Sequence, residues 1–355
     1  MSTIPTSAAD ITAPWLTEVL ARPITGVRAE NLGEGVGIMA EVTRLHLDHD
    51  DDGSDTMIAK TVSPAEQNID TARTYGFYVR EVSFYQQVAE QMELQVPVCR
   101  HADMGPDGVP FVILLDEVTD ARHIDQLGGV DLADAERVVD EIAKLHATWW
   151  DSPALDDLPW LPPVNNDLYK GYAQVLPDLA DLLQANWSDR LDDAAMGWLD
   201  GLRTSYTRYL DWWIESGPLT FAHYDLRPDN ILLDAGGDPD ALCLLDWQLA
   251  VRHRGTFDLS YFLGQNVPTE FRRAHQEALV RRYHDALTSH GVAGYSFDRC
   301  WDDYRYGMLM HLVSATQLQV LAGGNDRGAD LLASMLTWGW QSAIDLDAGE
   351  LLDEL

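Results

Sequence analysis

A polar loop between two short apolar runs constrains this chain more than any other part of its sequence. The first run and the loop form LTFAHYDLRPDNILLD (Leu219–Asp234), and the second run lies in LCLLDWQ (Leu242–Gln248). The loop holds Asp225 and, five positions later, Asn230, and Asp246 ends the second run. Short continuous apolar runs are typical of buried strands. The pattern therefore predicts two strands that bring Asp246 alongside the loop.

These three residues are of the types that phosphoryl transfer from ATP requires. The reaction needs a carboxylate near the attacking hydroxyl, and it needs oxygen ligands that hold Mg²⁺ against the phosphates. Asp225 and Asn230 can serve these two roles from one loop, and Asp246 can complete the metal site. The alternative is a polar loop whose Asp and Asn side chains cap local turns. The position between two predicted strands favours the catalytic interpretation.

The first part of the chain has the periodicity of strands. Val36–Leu47 and Thr56–Val62 are strand-like runs on either side of a polar turn, DHDDDGSD. Thr74–Gln91 carries apolar side chains at helical spacing, and Phe111–Leu115 is a continuous apolar run. We expect a β-rich region that contains one helix.

After about Val118 helical periodicity dominates. Asp131–Trp150 begins with a residue suited to an N-cap and carries apolar side chains at helical spacing. Aromatic-rich helical stretches follow over Leu168–Ile214, and the chain is helical again from Thr269 onward. The fold class is therefore α+β, with a small β-rich part followed by a larger, mainly helical part.

Around the polar loop the sequence resembles the aminoglycoside phosphotransferase and choline kinase superfamily, which is itself similar to protein kinases. The sequence is closest to the ecdysteroid-kinase-like branch of that superfamily in three segments, FAHYDLRPDNILL, LLDWQLA and, upstream, LHATWWD. The resemblance runs from about Glu30 to about Tyr283. It implies a protein-kinase-like two-lobed fold. Residues 1–118 would form an N-lobe that clamps the nucleotide, and residues 119–355 a C-lobe with the catalytic loop, the metal-binding loop and the acceptor site.

The resemblance also implies roles for the loop residues. Asp225 matches the catalytic aspartate, and Asn230 and Asp246 match the residues that hold magnesium. His223 would brace the loop. Arg227 lies two residues after the aspartate, where many kinases carry a basic residue that reaches the transferred phosphate and offsets the charge that develops there.

The N-lobe has candidates for a nucleotide clamp. Gly33, Gly35 and Gly37 precede a strand in NLGEGVGIMAEVTRL, and glycines allow the backbone to approach phosphates closely. The third glycine stands one residue earlier than in the protein-kinase pattern. Lys60, in MIAK, is similar to the kinase lysine that pairs with the α- and β-phosphates. Glu81 matches the glutamate that orients it, and the neighbouring Glu90 is the alternative.

The same resemblance bears on the hinge, on the support of the catalytic loop and on Tyr224. The hinge should come directly after FVILL, so Glu117 and Val118, with Asp116 before them, are candidates to contact adenine through their backbone. Asp258, in FDLSYFL, resembles a residue that supports the catalytic loop. Tyr224 departs from the pattern, because many small-molecule members carry glycine between the histidine and the catalytic aspartate.

The charge balance restricts the partners. The chain has 58 acidic residues against 24 basic ones, which gives a formal charge of -34. Such a surface repels phosphate backbones and anionic lipids, which argues against nucleic acid and membrane partners. Sparse cysteines, no secretory leader pattern and no apolar stretch of 18 residues lead us to expect a cytoplasmic location.

The sequence as a whole predicts a phosphotransferase that moves the γ-phosphate of Mg-ATP to a hydroxyl of a small molecule. Three classes of acceptor stay open: an amino sugar or aminoglycoside, an amino alcohol, and an apolar alcohol. The acidic surface favours the amine-bearing classes, and the branch resemblance favours the apolar one. No activation segment like that of protein kinases follows Asp246. A catalytically silent ligand-binding protein of the same fold is the alternative, although Lys60, Asp225 and Asp246 are all present.

Overall fold

The protein is described by a computed structural model that covers residues 3–32, 39–50, 54–321 and 326–355. Its contacts divide the chain into two compact units. The first unit consists of Met1–Ala121 and Asp234–Leu249, and the second consists of Arg122–Leu233 and Ala250–Leu355. Among the residues so described, no helix is both long enough and apolar enough to cross a membrane.

Five strands of the first unit form one antiparallel sheet in the order β1-β2-β3-β5-β4. They are β1 (Gly26–Asn31), β2 (Ala40–Asp48), β3 (Ser54–Val62), β4 (Cys99–Met104) and β5 (Phe111–Asp116). The predicted strands Thr56–Val62 and Phe111–Leu115 are confirmed as β3 and β5, and the described part of Val36–Leu47 lies in β2 from Ala40 onward. The edge strands β1 and β4 are not predicted by the sequence.

One face of this sheet packs against helix α1 (Ala13–Leu20). Leu45 and Leu47 of β2 are two positions apart and therefore point to the same face. Both are fully buried in a core shared with Leu16 of α1 and with Met57 of β3. Each such leucine contributes about 2 kcal/mol through the apolar area that it removes from water.

The helical region between β3 and β4 differs from its prediction. The helix predicted over Thr74–Gln91 is present in part, as α3 (Phe77–Gln87) followed by a 3-10 turn at Ala89–Gln91. A separate helix, α2 (Glu66–Tyr75), precedes it, so the expectation of one helix in this part of the chain is wrong. Gly76 ends the first helix and begins the second with a φ of 71°. Glycine adopts this left-handed conformation without steric cost, so the chain changes direction there.

The segment of the first unit that returns late in the chain is held by backbone and ring contacts. In its strand β9 (Leu242–Leu244), the N–H of Leu244 donates a backbone hydrogen bond of 3.0 Å to the C=O of Gln95. Trp247 stacks on Phe84 of α3 with 4.2 Å between ring centroids, and both side chains are fully buried. These contacts bring the end of β9 next to α3.

Most of the second unit is helical. Its helices are α4 (Leu132–Thr148), α5 (Asp167–Lys170), α6 (Leu176–Trp187), α7 (Asp193–Glu215), α8 (Thr256–Ser260), α9 (Thr269–Ser289), α10 (Phe297–Leu321) and α11 (Asp326–Asp345). The predicted cap of α4 is confirmed, since the side chain of Asp131 accepts a hydrogen bond from the backbone N–H of Asp134. The predicted helical stretch Leu168–Ile214 is present as three helices, α5 to α7.

Short strands carry the polar loop of the second unit. They are β6 (Arg122–His123), β7 (Thr220–Ala222), β8 (Ile231–Leu233) and β10 (Val251–His253). β7 pairs with β10 and β6 pairs with β8, both antiparallel. The loop at 223–230 therefore joins two paired strands, and its ends are anchored. After β10 the chain enters α8, which continues as a π-helical turn over Tyr261–Gln265.

Candidate active site

A buried cluster of one lysine and two carboxylates lies in the first unit. The Nζ atom of Lys60, on β3, is 2.5 Å from Oε1 of Glu81 on α3 and 3.0 Å from Oδ1 of Asp246, which follows β9. The Glu81 side chain is 1% exposed and that of Lys60 is 11% exposed. The structure thus brings together three predicted residues from three separate segments of the chain. Their role in binding a nucleotide stays a prediction.

The charges of this cluster are unbalanced. Burial lowers the pKa of Lys60, but the charges of Asp246 and Glu81 outweigh burial and hold that pKa above its ordinary value, so the ammonium group persists. Burial raises the pKa of Glu81 to about 7, against the effect of Lys60 and with that of Asp246. Two carboxylates share one cation here. A divalent cation or another positive group next to Asp246 would relieve this excess of negative charge.

Asp246 has the donor chemistry that Mg²⁺ prefers. Its backbone is left-handed, with a φ of 66°, and its Oδ2 accepts a hydrogen bond of 3.1 Å from Nε2 of Gln248. Within the described ranges, no group of three or more His, Cys, Asp or Glu side chains is arranged to hold a metal ion by itself. Magnesium commonly takes one or two carboxylates and completes its shell with phosphate oxygens and water. The residues present fit a metal that arrives with a nucleotide.

In the second unit, Asp258 holds the backbone of the loop at 223–230, the candidate catalytic loop. The two carboxylate oxygens of Asp258 accept the backbone N–H groups of His223 at 2.7 Å and of Tyr224 at 2.8 Å. The same carboxylate is 3.2 Å from Nε2 of His146, and burial opposes but does not cancel the lowering of its pKa by His146. The support predicted for Asp258 is therefore confirmed. Tyr224 has a φ of 68°, which explains why glycine suits this position.

Asp225 is held by donors on both carboxylate oxygens. Its Oδ1 accepts the hydroxyl of Tyr261 at 3.1 Å, and its Oδ2 accepts Nδ2 of Asn230 at 3.0 Å. Nδ2 of Asn230 also donates to the Asp225 carbonyl at 2.9 Å. Since both partners are acceptors, the amide must turn its nitrogen to them, which leaves its Oδ1 as the atom that can bind a cation. The predicted bracing role of His223 agrees with its Nδ1, which accepts the N–H of Asp225 at 3.3 Å.

Arg227 lies against two carboxylates of its own loop. Its Nη1 donates to Oδ2 of Asp229 at 2.8 Å, and its Nε is 3.5 Å from Oδ2 of Asp225. The guanidinium thus adds positive charge next to Asp225. A contact with a transferred phosphate stays a prediction.

The other residues predicted to contact the nucleotide belong to the glycine-rich segment and to the hinge. Gly33, Gly35 and Gly37 lie outside the described residues. Glu117 and Val118 follow β5 directly, as predicted for a hinge, and the Glu117 side chain pairs with Nη2 of Arg44 at 2.7 Å. That pair directs the carboxylate of Glu117 to its own unit, so any adenine contact would use the backbone.

Sequence reasoning missed Tyr261. It stands three residues after Asp258 in FDLSYFL, and residues three apart lie on the same side of a helix. Because Asp258 was expected to face the loop, the same spacing could have pointed to Tyr261.

The five-stranded antiparallel sheet with its lysine–glutamate pair, and the helical unit with its aspartate–asparagine loop, define a protein-kinase-like phosphotransferase fold. Residues 40–297 match the profile of the APH family, described as the phosphotransferase enzyme family, and the chain belongs to that family. The membership confirms the predicted superfamily and the predicted enzyme class, a small-molecule kinase. The ecdysteroid-kinase-like branch stays a prediction.

Solved structures share the fold at low sequence identity. A variant of aminoglycoside 2′-phosphotransferase-IIIa, in complex with GDP, matches with a TM-score of 0.55 at 15% identity, over 93% of this chain and 95% of that one. An ethanolamine kinase from Plasmodium vivax matches with a TM-score of 0.55 at 8% identity, over 88% and 81%. An amicoumacin kinase matches with a TM-score of 0.52 at 14% identity, over 88% of each chain. No curated protein sequence gives a significant match.

Proposed function

We propose that this chain transfers the γ-phosphate of Mg-ATP to a hydroxyl of a small molecule. The observation that carries the proposal is the buried Lys60–Glu81–Asp246 cluster, because three side chains from distant segments meet there with an excess of negative charge. Such an arrangement is unfavourable without a bound cation, and clusters of this kind mark functional sites.

The nucleotide side of the reaction falls to the residues of the first unit. Lys60 pairs with the α- and β-phosphates, and Glu81 orients it. Further contacts are proposed for Gly33, Gly35, Gly37, Glu117 and Val118. Two of the similar solved structures are nucleotide complexes, one with GDP and one with AMP-PNP and Ca²⁺, which supports a nucleotide with a divalent cation here. Mg²⁺ held by Asn230 and Asp246 would neutralise phosphate charge.

The loop of the second unit supplies the catalytic groups. The carboxylate of Asp225 orients the acceptor hydroxyl and takes its proton as the oxygen attacks the γ-phosphorus. The new bond joins the acceptor oxygen to phosphorus, the bond between the γ-phosphorus and the bridging oxygen breaks, and ADP leaves with that electron pair. Arg227 offsets the charge that develops on the transferred group.

The acceptor is proposed by class. An amino sugar or aminoglycoside, an amino alcohol and an apolar alcohol are the candidates, and the charge of -34 favours the amine-bearing ones. The similar structures include kinases named for ethanolamine and amicoumacin and an aminoglycoside phosphotransferase, which supports the same preference.

We assign nucleotide clamping to residues 1–118 and the acceptor site to residues 119–355. We also assign the enzyme to the cytoplasm, where its three free cysteines would stay reduced.

The test is a thermal-shift titration with Mg-ATP, followed by an ADP-release screen of the three acceptor classes. A ligand at a hundred times its Kd stabilises the native state by about 2.7 kcal/mol. We expect a magnesium-dependent shift in the wild type, its loss in Asp246→Ala, and its retention in Asp240→Ala, which removes an exposed aspartate of the same segment. No shift at millimolar Mg-ATP would refute the proposal. A shift without ADP release from any acceptor would favour a catalytically silent binding protein.

A further inference from the structure

Tyr261 contacts the catalytic loop from the helical segment that follows β10. Its hydroxyl donates to Oδ1 of Asp225 at 3.1 Å. It begins the π-helical turn that continues α8, so it follows Asp258, the support of the loop, by less than one helical turn. π-helical turns are rare and often occur at functional sites. One short stretch of chain therefore contacts the loop at two points.

A chain of hydrogen bonds holds the backbone of Tyr261. Its carbonyl accepts Nδ2 of Asn266 at 2.8 Å, and Oδ1 of Asn266 accepts Nε2 of Gln126 at 2.6 Å. A carbonyl can only accept, so Asn266 must turn its nitrogen to Tyr261 and its oxygen to Gln126. Asn266 and Gln126 are both 0% exposed. The orientation of each amide is determined by its neighbour, and the start of the π-helical turn is held in place.

The ring of Tyr261 is held separately from its hydroxyl. It is nearly parallel to the ring of Phe257, with 6.2 Å between centroids and 16° between planes. Burial and the charge of Asp225 raise the pKa of Tyr261 well above its ordinary value, so the hydroxyl keeps its proton and acts as a donor. A phenylalanine would keep the ring contacts and lose only this donor.

The two donors act on different oxygens of one carboxylate. Tyr261 holds Oδ1 of Asp225 and Asn230 holds Oδ2, so together they determine the plane of the carboxylate group. Asn230 and Arg227 both lie at Oδ2, so loss of the Tyr261 hydroxyl removes a donor from Oδ1 and weakens the control of rotation about the Cβ–Cγ bond. A base must lie within hydrogen-bond reach of the proton that it takes, and a small misplacement lowers the rate strongly.

We propose that Tyr261 is a positioning residue for phosphoryl transfer, whose hydroxyl sets the plane of the Asp225 carboxylate for the acceptor hydroxyl. The inference rests on the proposed function. It assigns to Tyr261 an effect on the rate of the chemical step, and none on the binding of nucleotide or acceptor.

The test compares Tyr261→Phe with Tyr209→Phe in the ADP-release assay, with Mg-ATP and the acceptor that gives the highest turnover in the screen. Tyr209 is a matched control, because its buried hydroxyl donates to the Tyr306 carbonyl at 3.0 Å in the same unit, and Tyr306 is not a residue of the loop. We expect Tyr261→Phe to lower kcat by about 10- to 100-fold with both KM values within about twofold. Tyr209→Phe should keep the kcat of the wild type, although it should lower the melting temperature about as much as Tyr261→Phe does.

Two results would overturn the inference. One is a kcat for Tyr261→Phe within twofold of the wild type, and the other is an equal fall in Tyr209→Phe, which would mean a general structural effect. The proposed function is judged separately, by the Mg-ATP shift and the turnover of the wild type. If the wild type turns over and Tyr261→Phe equals it, only the inference about Tyr261 fails. If the wild type turns over no acceptor, both fail together.

Discussion

The two units hold the buried carboxylates of the candidate site by different means. In the first unit, Glu81 and Asp246 compete for the single ammonium of Lys60, and the pKa of Glu81 is raised as a result of burial and of that crowding. In the second unit, Asp225 and Asp258 accept hydrogen bonds mainly from backbone N–H groups, an amide and a hydroxyl. The first arrangement is dominated by charge, so its stability should depend on bound cations and on pH. The second is dominated by directed hydrogen bonds and should respond to changes of geometry.

Catalysis should change most when the carboxylate of Asp225, in the second unit, is removed. Asp225→Asn keeps the shape of the side chain but removes the carboxylate that orients the acceptor hydroxyl and takes its proton. We expect kcat to fall by about 10²- to 10⁴-fold, the usual contribution of a general base, while the thermal shift with Mg-ATP remains. Steady-state ADP release and a thermal-shift titration measure the two. Normal turnover in this variant would break the division of roles between the units.

The next effect concerns the charge balance of the first unit. Lys60→Met leaves Glu81 and Asp246 without their shared cation, and removing one partner of a buried pair costs about 3–5 kcal/mol. We expect a fall of that size in the free energy of unfolding at pH 7. The double variant Lys60→Met/Glu81→Leu should recover part of it, because it removes the uncompensated buried charge.

A lysine outside the cluster provides the control for this measurement. Lys144 forms a partly exposed pair with Glu141 at 2.9 Å on α4. Lys144→Met should change the free energy of unfolding by less than about 1 kcal/mol. Equal losses for Lys60→Met and Lys144→Met in urea denaturation would contradict the picture of a charge-dominated cluster.

The Glu81 cluster of the first unit and the buried histidines of the second should respond to pH in opposite directions. Burial lowers the pKa of His253 and of His311, in the second unit, from 6.5 to about 3. A depressed pKa gives stability that is present above pH 6.5 and is lost as the pH falls towards 3, by about 1.4 kcal/mol per pH unit for each histidine. The raised pKa of Glu81, from 4.5 to about 7, gives the first unit stability below pH 4.5 that is lost as the pH rises through 7.

Hydrogen exchange measured for each unit at pH 7 and pH 5 tests this contrast. We expect protection to fall in the second unit at the lower pH and to rise around α3 in the first. A loss of protection at pH 5 both around α3 and in the second unit would contradict the opposite pH dependence expected here.

The smallest effect concerns the backbone of the catalytic loop. Tyr224 has a φ of 68°, and its ring stacks on Phe257 at 4.5 Å. Tyr224→Gly and Tyr224→Ala both remove the ring, but only glycine adopts this φ without cost. The glycine variant should therefore be more stable than the alanine variant by about 1 kcal/mol. At Thr204, exposed in the helix α7, the alanine variant should instead be more stable than the glycine variant by about 1 kcal/mol. Thermal unfolding of the two variants at Tyr224 and the two at Thr204 measures both differences.

Much of the site was predictable because its residues carry local signals. Asp225 and Asn230 stand in one loop, Asp246 follows an apolar run, and Lys60 lies in a strand with clear periodicity. Their positions relative to strands follow from these patterns alone. The contact of Tyr261 with Asp225 had a weaker signal, since it depends on how α8 continues into a π-helical turn.

Local sequence patterns are sufficient to predict the family, the central strands β3 and β5, the helix α4 with its Asp131 cap, and the order of the chemical groups along the chain. The folded structure alone shows that the polar edge strands β1 and β4 pair with the sheet, because edge strands bury too few side chains to leave an apolar pattern. It alone placed Asp246 beside Lys60, 186 positions earlier in the chain. Contacts at such separation depend on packing between elements, which local periodicity does not encode.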